Sequence, residues 1–280
     1  MAETRMASQK TKRILITSAL IAAVAICAAL LVVRLRPAAA ITKCLVSTDS
    51  FDDRLNDLPR LILWAWERPE DLRFINPQEI GVAFLAETIT LSGDRTIIRP
   101  RLQPLLLTPE TRRIAVARIE TAARTRPLLS DEQRNRIVAE LTKLARGENV
   151  AAIQIDFDAL RSERRFYRAL LGDLRSQLPV TTRLSITALA SWCLGDNWIA
   201  DLPIDEAVPM LFRMGADHEN ITLRLKAGDD FSVPAARHSV GISTDEPLGA
   251  RFNGRRVYVF NPRRWSAEGV RQITREVQQW

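Results

Sequence analysis

The sequence predicts an α/β protein built as a (β/α)8, TIM-like barrel preceded by a single N-terminal transmembrane helix. Three observations predict it. Eight short apolar runs of strand length recur between Leu61 and Phe260, several followed by amphipathic helical stretches, which is the element count and size of such a barrel. The runs stay apolar along their length and gain acids, amides and tryptophans mainly at their carboxyl ends, as when a site sits over the strand ends of a parallel sheet. Twenty uncharged residues, Ile14–Val33, stand apart near the N-terminus. A doubly wound open sheet is the competing architecture.

Charge separates the same parts. The chain carries a net +7, but residues 1–44 hold seven Lys/Arg against the single acid Glu3. The rest is therefore nearly neutral and offers no phosphate-tracking surface, so nucleic acid is not an expected partner. Residues 1–13 read as a basic cytoplasmic tail, 14–33 as the anchor, 34–55 as a linker and 56–280 as one barrel domain. Twenty residues of helix span about 30 Å, the thickness of a bilayer core. A cleaved leader ending at Ala38–Ala40 is the alternative; the length of the run, long for a leader, and its abrupt closure by Arg34 and Arg36 favour an anchor. Four basic residues precede the run and three follow it, so the positive-inside rule leans toward a cytoplasmic N-terminus. The expected location is then the bacterial inner membrane, crossed once, with the barrel facing the periplasm.

The strand-like runs are taken in order. Leu61–Trp66 leads into Glu67. Gly81–Leu91 carries Glu87 near its end, and Ser92–Asp94 turns the chain into Thr96–Leu102. Thr108 as N-cap, with Pro109 at the first helical position, predicts a helix. Ser130 and Gln133 form a capping box for another, with Ile137, Val138, Leu141 and Leu144 on one face and Gly147 as its stop. Ala151–Phe157 is the fourth strand. The next helix aligns Phe166, Leu170, Leu174 and Leu178 and ends at Pro179. Strands follow at Leu184–Ala190, Val208–Phe212, Ser239–Ser243 and Val257–Phe260. A last helix from Ser266 aligns Val270, Ile273, Val277 and Trp280.

Function is expected where these strands end. Side chains alternate along a strand, so Gln154, Asp156 and Asp158 share one face of AAIQIDFD. Two like charges in a partly dry space raise one carboxyl toward the working range of a general acid, and paired carboxylates are the machinery of glycoside hydrolysis. Glu87, from another strand, is the candidate third catalytic acid. Trp66 and Trp192 would stack sugar rings, as the strand-end tryptophans Trp64, Trp198 and Trp265 could also do. Glu67, Arg101, Gln154, Asp245 and Asn261 would bond hydroxyls. The bland readings are a hydrogen-bonded structural cluster of the two aspartates with Gln154, Ser185 and Thr187, and tryptophans that merely plug the barrel. Cys44 and Cys193 read equally as a disulfide of an oxidising compartment or as two unrelated thiols. Neither has metal-ligand spacing to His218 or His238, and there is no Gly-rich phosphate loop, so no metal or cofactor is expected.

The segments IQIDFD, FYRALLGDLRSQLP, LSITALASWC and VPMLFRMG resemble a bacterial family known as domain of unknown function 3142, and the resemblance extends over nearly everything after the anchor. It implies a barrel-like fold distantly similar to glycoside hydrolases. The central strand also resembles the chitinase-type pattern D-G-x-D-x-D-x-E: Asp156 and Asp158 match its second and third aspartates. Ile153 stands in place of the first, and Leu160 in place of the catalytic glutamate. That departure withholds the chitinase mechanism unless another acid, such as Glu87, supplies the proton.

The function expected is therefore a membrane-anchored, extracytoplasmic barrel that binds a bacterial glycan or polysaccharide and cleaves it with its carboxylates. The alternative is a non-catalytic glycan-binding or envelope-assembly protein on a degenerate hydrolase scaffold.

Overall fold

A computed structural model describes residues 58–247 and 249–280. The expected tail, anchor and linker, and Cys44, lie outside these residues. Among the described residues no helix is long and apolar enough to cross a membrane.

Eight parallel strands close into a barrel. In chain order the strands of the molecule are β1 (Leu61–Ala65), β2 (Glu70–Asp71), β3 (Ile80–Ser92), β4 (Arg95–Pro100), β5 (Leu105–Leu106), β6 (Arg113–Thr121), β7 (Val150–Asp156), β8 (Arg183–Leu189), β9 (Glu206–Met210), β10 (Ser239–Ser243) and β11 (Arg256–Phe260). The barrel runs β1-β3-β6-β7-β8-β9-β10-β11, and β11 pairs back onto β1. The open doubly wound sheet is thereby excluded. β4 is an antiparallel arm on β3, and β2 and β5 form a separate two-stranded ribbon.

Two expectations are corrected here, and they offset in the count. Thr96–Leu102 contributes β4, a hairpin arm outside the barrel, rather than the third barrel strand. The third barrel strand is instead β6, which follows the expected helix start at Thr108 and Pro109. RIAVARIET alternates: Ile114 and Val116 face the lumen, while Ala115, Ala117 and Ile119 face outward, a period-two pattern that overrides the cap-like Thr-Pro pair.

Among the described residues four α-helices cover the barrel: α1 (Asp131–Leu144), α2 (Arg164–Gln177), α3 (His218–Lys226) and α4 (Ala267–Gln278). The Ser130 side chain accepts from the Gln133 amide at 3.3 Å and the Gln133 side chain reaches back to the Ser130 amide, so the capping box forms. Ser266 caps α4 with its side chain alone, accepting from the Gly269 amide at 3.1 Å. Pro179 follows the extended Leu178 that ends α2. After β8 no α-helix forms; a π-helical turn, Trp192–Asp196, closes on Asn197 in the left-handed region.

The lumen is packed partly by apolar side chains and partly by a hydrogen-bonded polar layer. Ile62, Trp64, Ala83, Ile114, Val116, Ala152, Val208 and Tyr258 fill it. Across it, Trp64 Nε1 donates to Gln154 Oε1 at 2.9 Å, and Gln154 Nε2 meets Ser185 Oγ at 3.1 Å. Ser185 Oγ donates to Glu206 at 3.1 Å. Glu206 also accepts from Tyr258 at 2.7 Å, from Arg256 at 2.8 Å, and from Ser239. Burial would raise the Glu206 carboxyl, but the Arg256 guanidinium and these donors outweigh it and hold it below its ordinary value.

Trp64 needs a gap two strands along the barrel, and Gly241 of β10 supplies it. A Cβ on Gly241 would meet Trp64 Cη2 at 2.9 Å. Gly241→Val is expected to destabilise the barrel by about 1–3 kcal/mol, the usual cost of forcing a bulky group into a packed interior. Urea unfolding followed by tryptophan fluorescence checks it; an unchanged midpoint would show that Trp64 can move aside.

Candidate functional site

The carboxyl ends of β7, β8 and β9, with β1, β6 and β11 beside them, enclose a cavity of about 290 Å³. One wall is aromatic. Phe212 and Phe260 stack with centroids 5.6 Å apart, Trp66 stands edge-on to Phe260 at 6.4 Å, and Trp64 lies edge-on to Phe212 at 6.2 Å. Leu189, Met210, Met214 and Ile221 extend the apolar surface. Three acids line the same space: Asp156 and Asp158 at the end of β7, and Asp217 from the loop after β9.

Each aspartate has a different setting. Asp156 closes the floor: its side chain is 12% exposed, Thr187 Oγ1 donates to it at 2.6 Å, and Arg118 stands 4.0 Å away. Burial drives its carboxyl up; the Thr187 bond and Arg118 pull against this, and Asp158 adds to it. Asp158 is exposed to solvent within the concave mouth. The enclosing protein raises its carboxyl too, with Arg118 opposing. Asp217 is exposed as well. Among the described residues no side chain bonds or ion-pairs with Asp158 or Asp217.

Two arginines line the cavity. Arg118 pairs with Glu120 at 2.8 Å and lies over the Trp66 ring, 5.8 Å from its centroid. Arg213 has φ of +53°, donates its backbone N–H to Glu246 at 2.8 Å, and lies 5.1 Å over Phe260.

Of the residues singled out in the sequence, Asp156, Asp158 and Trp66 meet in this cavity, and Trp64 forms part of its wall. The others are placed elsewhere. Gln154 is fully buried beneath it, spent on Trp64 and Ser185. Glu67 faces Arg99 at 3.3 Å on the surface. Arg101 donates to the carbonyls of Ala65, Trp66, Arg68 and Gln103, clamping the chain that leaves β1. Trp192 is buried edge-on to Trp198 at 5.0 Å, so it packs the core instead of presenting a stacking face. Trp198 carries Arg164 over its ring, and buried Trp265 donates to the Trp64 carbonyl at 3.0 Å. Asp245 accepts from Ser243, and Asn261 accepts from Thr244 and Arg263.

Glu87 is the largest correction. A bulge between Leu85 and Glu87 flips the alternation of β3, so that Glu87 falls in register with outward-facing Ala117 and lies under α1. It is absent from the cavity and cannot pair with Asp156 or Asp158 there. Burial, reinforced by Glu140 and opposed by Lys143, lifts its carboxyl to about 7, and its buried Oε1 has no hydrogen-bond partner. Because this folded-state value lies above the unfolded one, ionisation costs stability as pH rises through about 7. Glu87→Gln is accordingly expected to raise the thermal midpoint at about pH 8 and to lose that gain near pH 5. Thermal scans at the two pH values test this; an equal offset at both would refute it.

Sequence reasoning missed Arg118 because β6 was read as helix, and missed Asp217 because nothing local ties residue 217 to β7. The alternation in RIAVARIET was the available signal for the first.

The fold and cavity define a TIM-like barrel with an acidic and aromatic mouth at the carboxyl ends of its strands. Residues 111–208 match the family described as Domain of unknown function (DUF3142). This is the family the sequence resembles, over a narrower stretch than the resemblance suggested. The stretch runs from just before β6 into β9 and so includes Arg118, Asp156, Asp158 and Thr187. The crystal structure of the Bacillus cereus spore cortex-lytic enzyme SleL is similar at 13% identity with a TM-score of 0.44, over 66% of this chain. The match covers 51% of that chain, so the protein spans about half its length. No curated protein matches the chain.

Proposed function

We propose that this protein binds a glycan in the barrel mouth and hydrolyses a glycosidic bond there. The observation that carries the reading is Asp158, a carboxyl raised from its ordinary value and open to a cavity that four aromatic rings also line. Aromatic faces take the apolar C–H faces of sugar rings, and a raised carboxyl beside a second one suits proton donation to a leaving oxygen. In this reading Asp158 gives its proton to the glycosidic oxygen as the C–O bond breaks. Asp156, held by Thr187, faces the positive charge that develops on the anomeric carbon. Water then adds to that carbon and releases its proton to solvent.

A second reading, a non-catalytic glycan-binding or envelope-assembly protein, is favoured by Leu160. It stands 63% exposed where the chitinase-type pattern has its glutamate, and Glu87 is turned away from the cavity. We place the barrel in the periplasm, held to the inner membrane by Ile14–Val33. Protease accessibility in spheroplasts tests this, and protection of the barrel would overturn it.

The functional test titrates the full-length chain with bacterial polysaccharides and peptidoglycan fragments, recording tryptophan fluorescence and new reducing ends. Quenching with sugar release supports hydrolysis. Quenching alone supports the binding protein, and neither would sink the glycan reading.

A further inference from the structure

The charges around the cavity are unbalanced, and the imbalance points to the kind of sugar it takes. The two arginines on its lining each also face a glutamate outside it. Arg118 is held by Glu120 at 2.8 Å, and Arg213 faces Glu246 with Nε and Oε1 3.8 Å apart; neither glutamate lines the cavity. Each guanidinium also lies over an aromatic ring, Trp66 or Phe260. Little positive charge is left for the three aspartates. Asp156 has a distant share of Arg118, and no described side chain pairs with Asp158 or Asp217. Asp158 lies just past β7 and Asp217 ends the short turn after β9, with β8 between those strands, and both line one space with the rings of Trp66, Phe212 and Phe260.

Carboxylates left without cations at the edge of an aromatic wall favour a ligand that brings its own positive charge. An ammonium group is attracted both by the carboxylates and by the negative faces of the rings, and the low-dielectric walls focus that field. A neutral sugar gains only the stacking.

We infer that the cavity recognises an amine-bearing glycan, one with at least one hexosamine whose 2-amino group is free and protonated, and that Asp217 is a specificity-determining residue for that ammonium. The inference rests on the glycan reading and narrows it. The ring stacks on the aromatic wall, and its ammonium lies toward Asp217.

The test compares four ligands on the full-length chain near neutral pH: glucosamine oligomers, their fully N-acetylated counterparts, glucose oligomers of equal length, and spermidine. Binding is read by tryptophan fluorescence and calorimetry. The glucosamine oligomer is expected to bind at least about tenfold tighter than the acetylated one, the scale of one partly desolvated charge contact. Asp217→Asn should shrink that preference, with near-ultraviolet circular dichroism confirming that the variant is folded. If acetylated and free-amine oligomers bind equally, the amine inference falls and the glycan reading stands. If spermidine matches the glucosamine oligomer, the cavity selects cations and not amino sugars, which also overturns the inference. An Asp217→Asn variant with an undiminished preference removes Asp217 from the assignment. Binding of none of the three sugar oligomers removes the glycan reading itself.

Discussion

Asp158→Asn is expected to lower sugar release by about 10²–10⁴-fold, the usual worth of a general acid, while leaving ligand-induced fluorescence changes in place. Asparagine keeps the size of the side chain and can still hydrogen-bond a hydroxyl, but it has no proton to give. Asp158 is solvent-exposed and pairs with no described side chain, so the substitution removes chemistry without removing a structural contact. The pH dependence carries a sign. A general acid works in its protonated form, and the surrounding protein raises the Asp158 carboxyl. Activity should therefore persist to higher pH than an ordinary aspartate would allow, then fall as pH rises through the raised value. Measuring kcat/KM against pH for wild type and variant tests both parts. A variant with wild-type turnover removes Asp158 from the chemistry and leaves the binding reading in its place.

Glu206→Ala should cost about 3–5 kcal/mol of stability, because it takes the carboxylate away from a guanidinium inside the barrel. Glu206 and Arg256 are both buried, 2.8 Å apart, and Ser185, Ser239 and Tyr258 converge on the same carboxylate. A loss of that size is a large fraction of the roughly 5–15 kcal/mol that holds a typical domain together. Replacing both partners, Glu206→Met with Arg256→Met, should recover part of the loss, since the pair and not either charge alone fits the lumen. Glu206 is held below its ordinary value, so its contribution is present above the unfolded glutamate pKa and is lost as pH falls through the depressed folded one. The single variant should accordingly show a flatter acid limb. Urea unfolding of the three proteins across the acid range measures this. A double variant no more stable than Glu206→Ala would show that the charges do not act as a pair.

The Ala151–Leu160 stretch was legible by itself. Its parity places Gln154, Asp156 and, beyond the strand, Asp158 on the lumen side, and nothing remote is needed to decide that. The capping box of α1, the Ser266 cap of α4 and the apolar stripes of both helices are local in the same way, since each depends on residues within a turn or two. The barrel as a class followed from the series of short apolar strands. Register did not follow, because it is fixed by pairing between distant segments. One extra residue at the bulge of β3 carries Glu87 from the expected mouth to the space under α1. Pairing to β3 and β7 makes Arg113–Thr121 a strand and so sets Arg118 beside Asp156. Closure of the loop after β9 brings Asp217 into the cavity with the β7 aspartates. The sequence thus determined which side of the fourth barrel strand is acidic. Only the closed barrel decided what faces it, because a strand's neighbours across a lumen are chosen by long-range pairing and loop closure and not by its own periodicity.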